Sequence, residues 1–277
     1  MRTYAYSNLS RSWPRKFLTT QADGQVIVAK PTDSYATKFV LGEFSVHNRT
    51  GGVATLGIGG RFPIDLWSFG TWDDSEYAAG TVYASDTTDA QDAGTGDVAL
   101  DTVGTNNDGF LIGCDVPFSI ASLQISQASS AGTVWAMYYS IATLGTTFAN
   151  NFTAITNPYV APDFSATGER LLWFEPPTDW VKASAATAIV NRHGLTVPSQ
   201  YLLLVKATTG PNANAGLMSL ATLGITVLTV EDVADNSVLT NIGGVERALP
   251  PQCDAVCAAI SVANSQNRVD INYRYSG

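Results

Sequence analysis

Histidine, the side chain most often used as a general base, occurs at only two positions of this 277-residue chain, His47 and His193. A Ser-His-Asp or Cys-His enzyme would have to use one of them. His47 closes a predicted strand, and His193 follows a predicted helix in the segment NRHGL, where the helix dipole favours a cation. No Gly-x-Ser-x-Gly, HExxH or P-loop motif is present. The sequence therefore predicts no catalytic residues.

Carboxylates could still support the hydrolysis of a glycosidic bond, which requires two of them facing each other across the substrate. Glu76, Glu169 and Glu175, together with several Asp residues, could supply such a pair. A sequence alone does not give the distance between two carboxylates. We expect a protein without enzymatic activity, and a hydrolase is the alternative class.

The most polar segment of the chain, DTTDAQDAGTGDVALD over residues 86–101, is rich in aspartate and glycine. Loops that present many oxygen ligands bind Ca²⁺. This segment lacks the DxDxDG spacing and the closing Glu of an EF-hand. We favour a solvated surface loop and predict no metal site, with Ca²⁺ binding as the alternative; the residues concerned are Asp86, Asp89, Asp92, Gly94, Gly96 and Asp97.

The three cysteines favour free thiols, because an odd number does not suit a disulfide framework. Cys253 and Cys257 are four residues apart in QCDAVCAAI, a spacing typical of one helical turn. A zinc site would need further ligands, and neither histidine has a metal-like neighbour. We therefore predict buried structural thiols and no cofactor.

The elements that would position these residues are mostly strands, and residues 108–145 form the centre of the predicted fold. Apolar side chains fall on every second position from residue 110 to 120, the spacing of one strand face. The phase slips by one residue directly afterwards, which predicts a β-bulge or a bend. Residues 129–132 (SSAG) indicate a turn, and the apolar segment 134–141 indicates a returning strand. The sequence predicts a β-hairpin in the core of a sandwich.

Further elements follow from composition and turn signals. The segment FPIDLWSFGTW at 62–72 is dense in aromatic residues and is typical of a core or an interface; Trp67 and Trp72 could alternatively form a sugar platform. The Ala-rich segment 178–190 and the segment 254–263 are predicted helices. The tetrapeptide ATLG, at Ala54, Ala142 and Ala221, suggests a repeated unit of strand and glycine turn or a chance repeat. Other strands are predicted at 25–29, 36–46, 53–58, 171–174, 201–206, 224–230 and 268–275.

The predicted fold is mainly β: a β-sandwich, jelly-roll-like, with an extended N-terminal arm and one or two short helices. Charged residues make up 14% of the chain, against about a quarter in typical soluble domains. This profile suits short strands joined by uncharged turns and argues against a helical bundle. We expect an arm at 1–35 and a sandwich domain at 36–277, with 36–80 as a possible smaller strand-rich subdomain.

Charge is distributed unevenly along the chain, whose net charge is −9. Residues 1–61 hold eight basic and three acidic residues, a net charge of +5. Residues 62–169 hold thirteen acidic residues and no Lys or Arg. Such a block cannot form internal salt bridges, so its charges must be spread over a surface, neutralised by cations or faced by a basic partner.

The first residues of the chain interleave basic and aromatic side chains, which can indicate nucleic-acid binding. The acidity of the whole chain would repel a polyanion, so we expect no nucleic acid. Residues 1–30 contain no signal-peptide pattern, and no apolar segment reaches membrane-spanning length, which predicts a protein made in a cytoplasm. We predict an arm that contacts a neighbouring subunit through Arg2, Tyr4, Tyr6, Arg11, Trp13, Arg15, Lys16 and Phe17.

Over residues 80–277 the chain resembles jelly-roll capsid or cement (decoration) proteins of tailed bacteriophages. The resemblance is carried by low charge, by loops of Thr, Asn and Gly, and by the segments GTVYASDTTDAQDAG, DGFLIGCDVPFSIASLQIS and GTVWAMYYS. It implies symmetric oligomers, often trimers, whose arms hold neighbouring capsomers, and no catalysis. The implied partners are the major capsid protein or other virion proteins, and the implied location is the virion.

An alternative function is that of a carbohydrate- or receptor-binding β-sandwich on a phage tail or fibre. This hypothesis requires exposed aromatic rings that form a stacking face. The candidates are Trp135, Tyr138, Tyr139, Trp173 and Trp180. Burial of these rings would remove its support.

Overall fold

The structure is a computed structural model that describes residues 15–19, 25–29, 38–48, 51–65, 67–73, 83–94, 96–141, 152–183, 200–235, 238–240, 247–248, 253–260 and 268–276. Within these ranges the chain forms strands and one five-residue helix, α1 Thr87–Gln91. The strands are β1 Arg15–Thr19, β2 Gln25–Ala29, β3 Lys38–His47, β4 Ala54–Ile64, β5 Trp67–Trp72, β6 Tyr83–Ser85, β7 Val98–Ala99, β8 Gly109–Cys114, β9 Ile120–Gln127, β10 Val134–Ser140, β11 Phe152–Ala154, β12 Gly168–Trp173, β13 Lys182–Ala183, β14 Gln200–Thr209, β15 Leu217–Val233, β16 Val238–Thr240, β17 Arg247–Ala248, β18 Ala255–Ile260 and β19 Arg268–Ser276.

The chain forms two compact units, and their limits differ from the predicted boundary after residue 35. The first unit comprises Met1–Gly60 and Leu228–Gly277, and the second comprises Arg61–Val227. In the first unit, β1, β19, β3 and β16 form a sheet in that order, and β17 also pairs with β3. Strand β2 pairs with β18. The candidate subdomain 36–80 does not coincide with either unit.

Part of the predicted N-terminal arm is paired within the chain's own sheets. Arg15, Lys16 and Phe17 lie in β1, which runs antiparallel to β19. Residues 25–29 form β2, as predicted. The other residues of the predicted interface, Arg2, Tyr4, Tyr6, Arg11 and Trp13, lie outside the described residues.

The second unit contains two antiparallel sheets packed against each other, which confirms the prediction of a mainly β sandwich. One sheet has the strand order β11-β10-β14-β8-β5-β6, and β13 pairs with β14 at its side. In the facing sheet, β9 lies between β12 and β15, and β7 also pairs with β15. We call these the first sheet and the facing sheet.

The core between the two sheets is built from alternate residues of each strand. Phe110 and Val205 point inward from the first sheet, and Leu123 and Leu223 point inward from the facing sheet. Aromatic rings fill much of the space: Phe69 stacks on Phe110 at 5.2 Å between ring centroids. Further pairs are edge-on, and pairs of this kind contribute about 0.5–1.5 kcal/mol beyond their buried area.

The predicted central hairpin is wrong, although its strands and turn exist. Strand β8 belongs to the first sheet and β9 to the facing sheet, so residues 115–119 carry the chain from one sheet to the other. Strand β10 returns to the first sheet and pairs with β11 and β14. The turn at 129–132 is present, with Gly132 at φ 92° and a hydrogen bond from Thr133 N to Ser130 O of 3.2 Å. This turn connects β9 of the facing sheet to β10 of the first sheet, so the connection is an arch and not a hairpin.

The slip in apolar phase has a physical cause other than a bulge. In β8 the inward side chains have even numbers, such as Phe110 and Ile112. In β9 they have odd numbers, such as Leu123 and Ile125. Because β8 and β9 lie in different sheets, the loop between them, and not one continuous strand, sets which alternate residues of each face the shared core.

The two predicted helices are wrong where the structure describes them. Thr178–Trp180 is a turn that leads into β13, and Val181 N donates to Ser140 O at 3.2 Å. Residues 255–260 form β18, which pairs with β2. Sheet pairing has overridden helix propensity, which is a weak determinant by itself. The one helix among the described residues, α1, lies in the segment predicted as a polar loop.

The remaining predictions have mixed outcomes. Cys114 and Cys253 are buried thiols, as predicted. Two ATLG copies lie inside β4 and β15, so neither ends in a turn, and the copy at 142–145 lies outside the described residues. Gly224 is required because a side chain there would collide with Arg61 and with the Phe62 carbonyl.

Candidate functional site

The described surface of the second unit is acidic. Of its described cationic residues, only Lys182 is not buried, and it lies 3.7 Å from Asp115. Eleven described carboxylates of this unit are half-buried or exposed: Asp65, Asp73, Asp86, Asp89, Asp92, Asp97, Asp115, Asp163, Glu169, Glu175 and Asp179. Nearly all the charged side chains on the described surface of this unit are therefore negative.

The three buried cations among the described residues of this unit serve internal contacts. Arg61 Nη1 donates to Thr222 Oγ1 at 2.7 Å. Arg170 donates to the Ala166 and Thr167 carbonyls at 3.2 and 3.3 Å, and burial lowers its pKa from the ordinary value. Lys206 Nζ lies 5.3 Å from the centre of the Tyr138 ring. Because these cations are buried, they do not offset the negative charge of the surface carboxylates.

A cavity of about 310 Å³ opens at one end of the sandwich. The pairing of strands in the first sheet brings part of the lining together. Trp72 of β5 is opposite Gly109 of β8 on one side and Tyr83 of β6 on the other. Gly109 has to be glycine, because a side chain would collide with the Val205 carbonyl. The lining residues are Thr71, Trp72, Asp73, Ala84, Ala99, Asp101, Thr102 and Gly109.

Asp101 is the buried carboxylate of this cavity, only 5% exposed. Its Oδ1 accepts a hydrogen bond from Gly216 N at 2.8 Å, and its Oδ2 accepts one from Ser129 Oγ at 2.9 Å. Burial raises the pKa of Asp101; the two hydrogen bonds lower it, and the negative charge of Asp108 raises it further. Among the described residues, no basic side chain pairs with Asp101.

The loops beside the cavity are fixed to each other by hydrogen bonds. Ser130 Oγ accepts from Ala213 N at 3.0 Å and from Asn214 N at 2.7 Å. Gly210 N donates to Asn106 Oδ1 at 2.7 Å, and Gly104 N donates to Pro211 O at 2.8 Å. These hydrogen bonds hold together the described loops at 102–107, 128–133 and 210–216.

The aspartates of the proposed Ca²⁺ loop take part in local structure. Asp86 Oδ2 accepts from Thr71 N at 3.3 Å, and Asp92 Oδ1 accepts from Gly94 N at 2.9 Å. Asp97 Oδ2 accepts from Ser126 Oγ at 2.8 Å. Within the ranges that the structure describes, no three His, Cys, Asp or Glu side chains are grouped so that they could hold a metal ion.

The predicted aromatic stacking face is wrong. Trp135, Tyr139, Trp173 and Trp180 are all buried, and the polar side-chain atoms of the last three form hydrogen bonds inside the protein. For example, Trp180 Nε1 donates to Leu202 O at 3.2 Å, and Trp173 Nε1 donates to Thr226 Oγ1 at 3.2 Å. Tyr138 is half-buried, and Trp67 and Trp72 are buried as well. The argument for a carbohydrate-binding face is lost.

The residues considered for catalysis are dispersed. Glu169 is exposed in β12 and accepts from Ser122 Oγ at 2.5 Å, whereas Glu175 is exposed after that strand. His47 ends β3 of the first unit. Glu76 and His193 lie outside the described residues.

Comparisons of the chain with protein-family models, with curated proteins and with solved structures gave no match. In the described part of the chain, no helix has the length and apolar character needed to cross a membrane. The fold and the site are therefore the observations on which a function can be proposed.

Proposed function

We propose that this chain is a structural protein of a phage virion, a cement, decoration or minor capsid protein that binds and stabilises a protein shell. In this proposal an oligomeric, jelly-roll-like sandwich presents the binding surface, and the basic N-terminal residues hold a neighbouring subunit. The resemblance of residues 80–277 to such proteins supports it. A sandwich fold is compatible with this function but hosts many others.

The observation that carries the proposal is the acidic, cation-poor surface of the second unit. Among the described residues of this unit, eleven carboxylates are half-buried or exposed, whereas Lys182 is the one cation that is not buried. Residues 1–61 of the same sequence have a net charge of +5. Each exposed ion pair contributes only about 0.2–1 kcal/mol. Many such pairs together steer association and select a basic partner.

The interior of the second unit supports a passive structural role. Its core is packed with interlocking aromatic rings, and its loops are tied by hydrogen bonds. Rigid surfaces lose little conformational entropy on assembly, so binding energy is retained. The expected partners are further copies of the chain, with a trimer favoured, and the major capsid protein or other virion proteins.

Self-association tests the proposal most directly. We expect sedimentation velocity to show an oligomer at about 0.05 M salt that dissociates at about 0.5 M, because salt screens exposed charges. The variant Arg2→Gln/Arg11→Gln should weaken association without altering β1. A control with the same loss of charge is Lys182→Gln/Arg192→Gln. A monomer at every salt concentration, or equal effects of the two double variants, would contradict the proposal.

A further inference from the structure

One strand of the first sheet has a sequence that favours pairing with copies of itself. β5 (WSFGTW) contains no charged residue and no Pro, and three of its six residues are aromatic. Short segments of this composition pair and stack as strands when their edges are exposed. On one side β5 pairs with β8 along its whole length, whereas on the other side the three-residue β6 pairs only with 70–72. Among the described residues, no strand pairs with the rest of this edge, at 67–69.

Side chains from α1 occupy this part of the edge in place of a strand. The Thr87 hydroxyl accepts a hydrogen bond from Phe69 N at 3.0 Å and donates one to Phe69 O at 3.1 Å. Asp86 N also donates to Phe69 O at 3.0 Å, and Gln91 Nε2 donates to Trp67 O at 3.2 Å. Antiparallel strands pair through the same backbone N–H and C=O groups. Three groups that an incoming strand would use, Trp67 O, Phe69 N and Phe69 O, are therefore already bonded.

The helix that supplies these side chains has little stability of its own. It has five residues, and Asp86, its N-cap residue, forms no side-chain capping hydrogen bond. Instead, Asp86 Oδ2 accepts from Thr71 N of β5 at 3.3 Å. Ala90 is the one buried residue of the helix, and its last turn has no basic residue to complement the helix dipole. Because helices this short are marginal alone, α1 depends on β5 as much as β5 depends on α1.

We propose that α1 is a guard that keeps the edge of β5 from pairing with a second copy of this chain. Two copies related by a two-fold axis present the same edge to each other, so antiparallel pairing would satisfy the backbone groups of both. Proteins protect such edges with charged side chains on the strand or with a helix that covers it. Because β5 has no charge of its own, the covering helix is the protection at 67–69. This inference does not rest on the proposed function, which depends on surface charge and not on a sheet edge.

The test removes the bonds of the guard from the full-length chain and measures association at about 0.5 M salt, where contacts between exposed charges are screened. Thr87→Val keeps the shape of the side chain and loses the hydroxyl. In dilute protein the Phe69 amide should exchange at least about fivefold faster, because its hydrogen-bond acceptor is lost. In concentrated protein, sedimentation velocity should show a dimer or a larger species, and hydrogen exchange at 67–71 should slow again.

A second variant and two controls complete the design. Gln91→Ala opens the same edge at Trp67, and because Gln91 is exposed it remains a test if Thr87→Val disturbs folding. Thr88→Val makes the matched replacement at an exposed position of α1 that forms none of these bonds. Thr87→Ser keeps the hydroxyl. Both controls should sediment and exchange as the wild type does.

Three results would overturn the proposal. The first is unchanged exchange at 67–71 in Thr87→Val and Gln91→Ala, which would show that α1 does not protect the edge. The second is faster exchange with the sedimentation of the wild type at every protein concentration, because an open edge would then not recruit a second copy. The third is association without renewed protection of 67–71, which would place the contact on another surface.

Discussion

At each end of the sandwich in the second unit, a buried serine forms hydrogen bonds that join two segments of the chain. We call each of these a fastening. The partners of the two serines differ in charge. At the cavity end, Ser129 Oγ donates to the carboxylate of Asp101 at 2.9 Å. At the opposite end, Ser119 Oγ accepts from Thr226 N at 2.8 Å and lies 2.9 Å from Thr226 Oγ1. The first fastening includes a negative charge, and the second consists of neutral groups.

Because of this difference in charge, the two hydrogen-bonded serines contribute to stability in different ways. A neutral hydrogen bond contributes to stability at any pH, whereas a buried carboxylate must be desolvated, at several kcal/mol. Proteins tend to violate the rules of stable folding at functional sites. The end that carries this cost is also the end that contains the cavity.

The largest expected effects come from removing one ring of the core at each end. Phe110→Ala should remove contacts to Phe69, Trp135 and Phe164, and Phe118→Ala should remove contacts to Phe174 and Trp180. Each should lower the free energy of unfolding by about 3–5 kcal/mol. Urea denaturation measures the totals, and hydrogen exchange shows which end opens first. Equal exchange at both ends in both variants would show that the ends are not independent.

A smaller effect is expected from removing each fastening. Ser119→Ala and Ser129→Ala should each lower the free energy of unfolding by about 1–3 kcal/mol, because a buried group loses its partner. The effect of Ser119→Ala should be the same at pH 7 and pH 4.5. The effect of Ser129→Ala should change between these pH values, because its partner is the carboxylate of Asp101. Urea denaturation at both values tests this, and equal pH responses would contradict the contrast.

The smallest effect concerns the charge alone. Because the pKa of Asp101 is raised above its ordinary value of 3.8, the folded state binds the proton more tightly than the unfolded state does. The stability contributed by Asp101 is therefore present at low pH and is lost as the pH rises through the raised pKa.

Asp101→Asn tests this sign, because its amide can still accept from Gly216 N and can donate to Ser129 Oγ. We expect the wild type to gain stability relative to this variant as the pH falls from 7 towards 4. Asp65→Asn is the control for the loss of an exposed carboxylate. A relative loss of wild-type stability at low pH would contradict the prediction.

Much of the fold could be predicted because strand alternation is a local signal. The segments predicted at 25–29, 201–206 and 268–275 all fall on strands. Pairing partners could not be predicted, because the same alternation suits a hairpin and an arch. Only the slip in apolar phase after Ile120 carried this information.

The failures at the helices and at the site have different causes. The Ala-rich segment after Thr178 has a local preference that β13 overrides by pairing with β14. The cavity could not be predicted because Trp72, Asp101 and Gly109 come from separate elements that meet only in the folded unit. Asp101 carries one weak signal: it directly follows Leu100, which is completely buried.

The repeated passage of the chain between facing sheets has a consequence for folding. Because β8, β9 and β10 follow one another in sequence but alternate between the sheets, several neighbouring strands, such as β8 and β14, come from distant parts of the chain. The pairing of Phe110 with Val205 therefore closes a long segment of chain that contains other strands. Chains with this kind of connectivity fold slowly, on a scale of about milliseconds to seconds. During that interval half-formed sheet edges are exposed, and newly made copies are most prone to pair with one another in the wrong way.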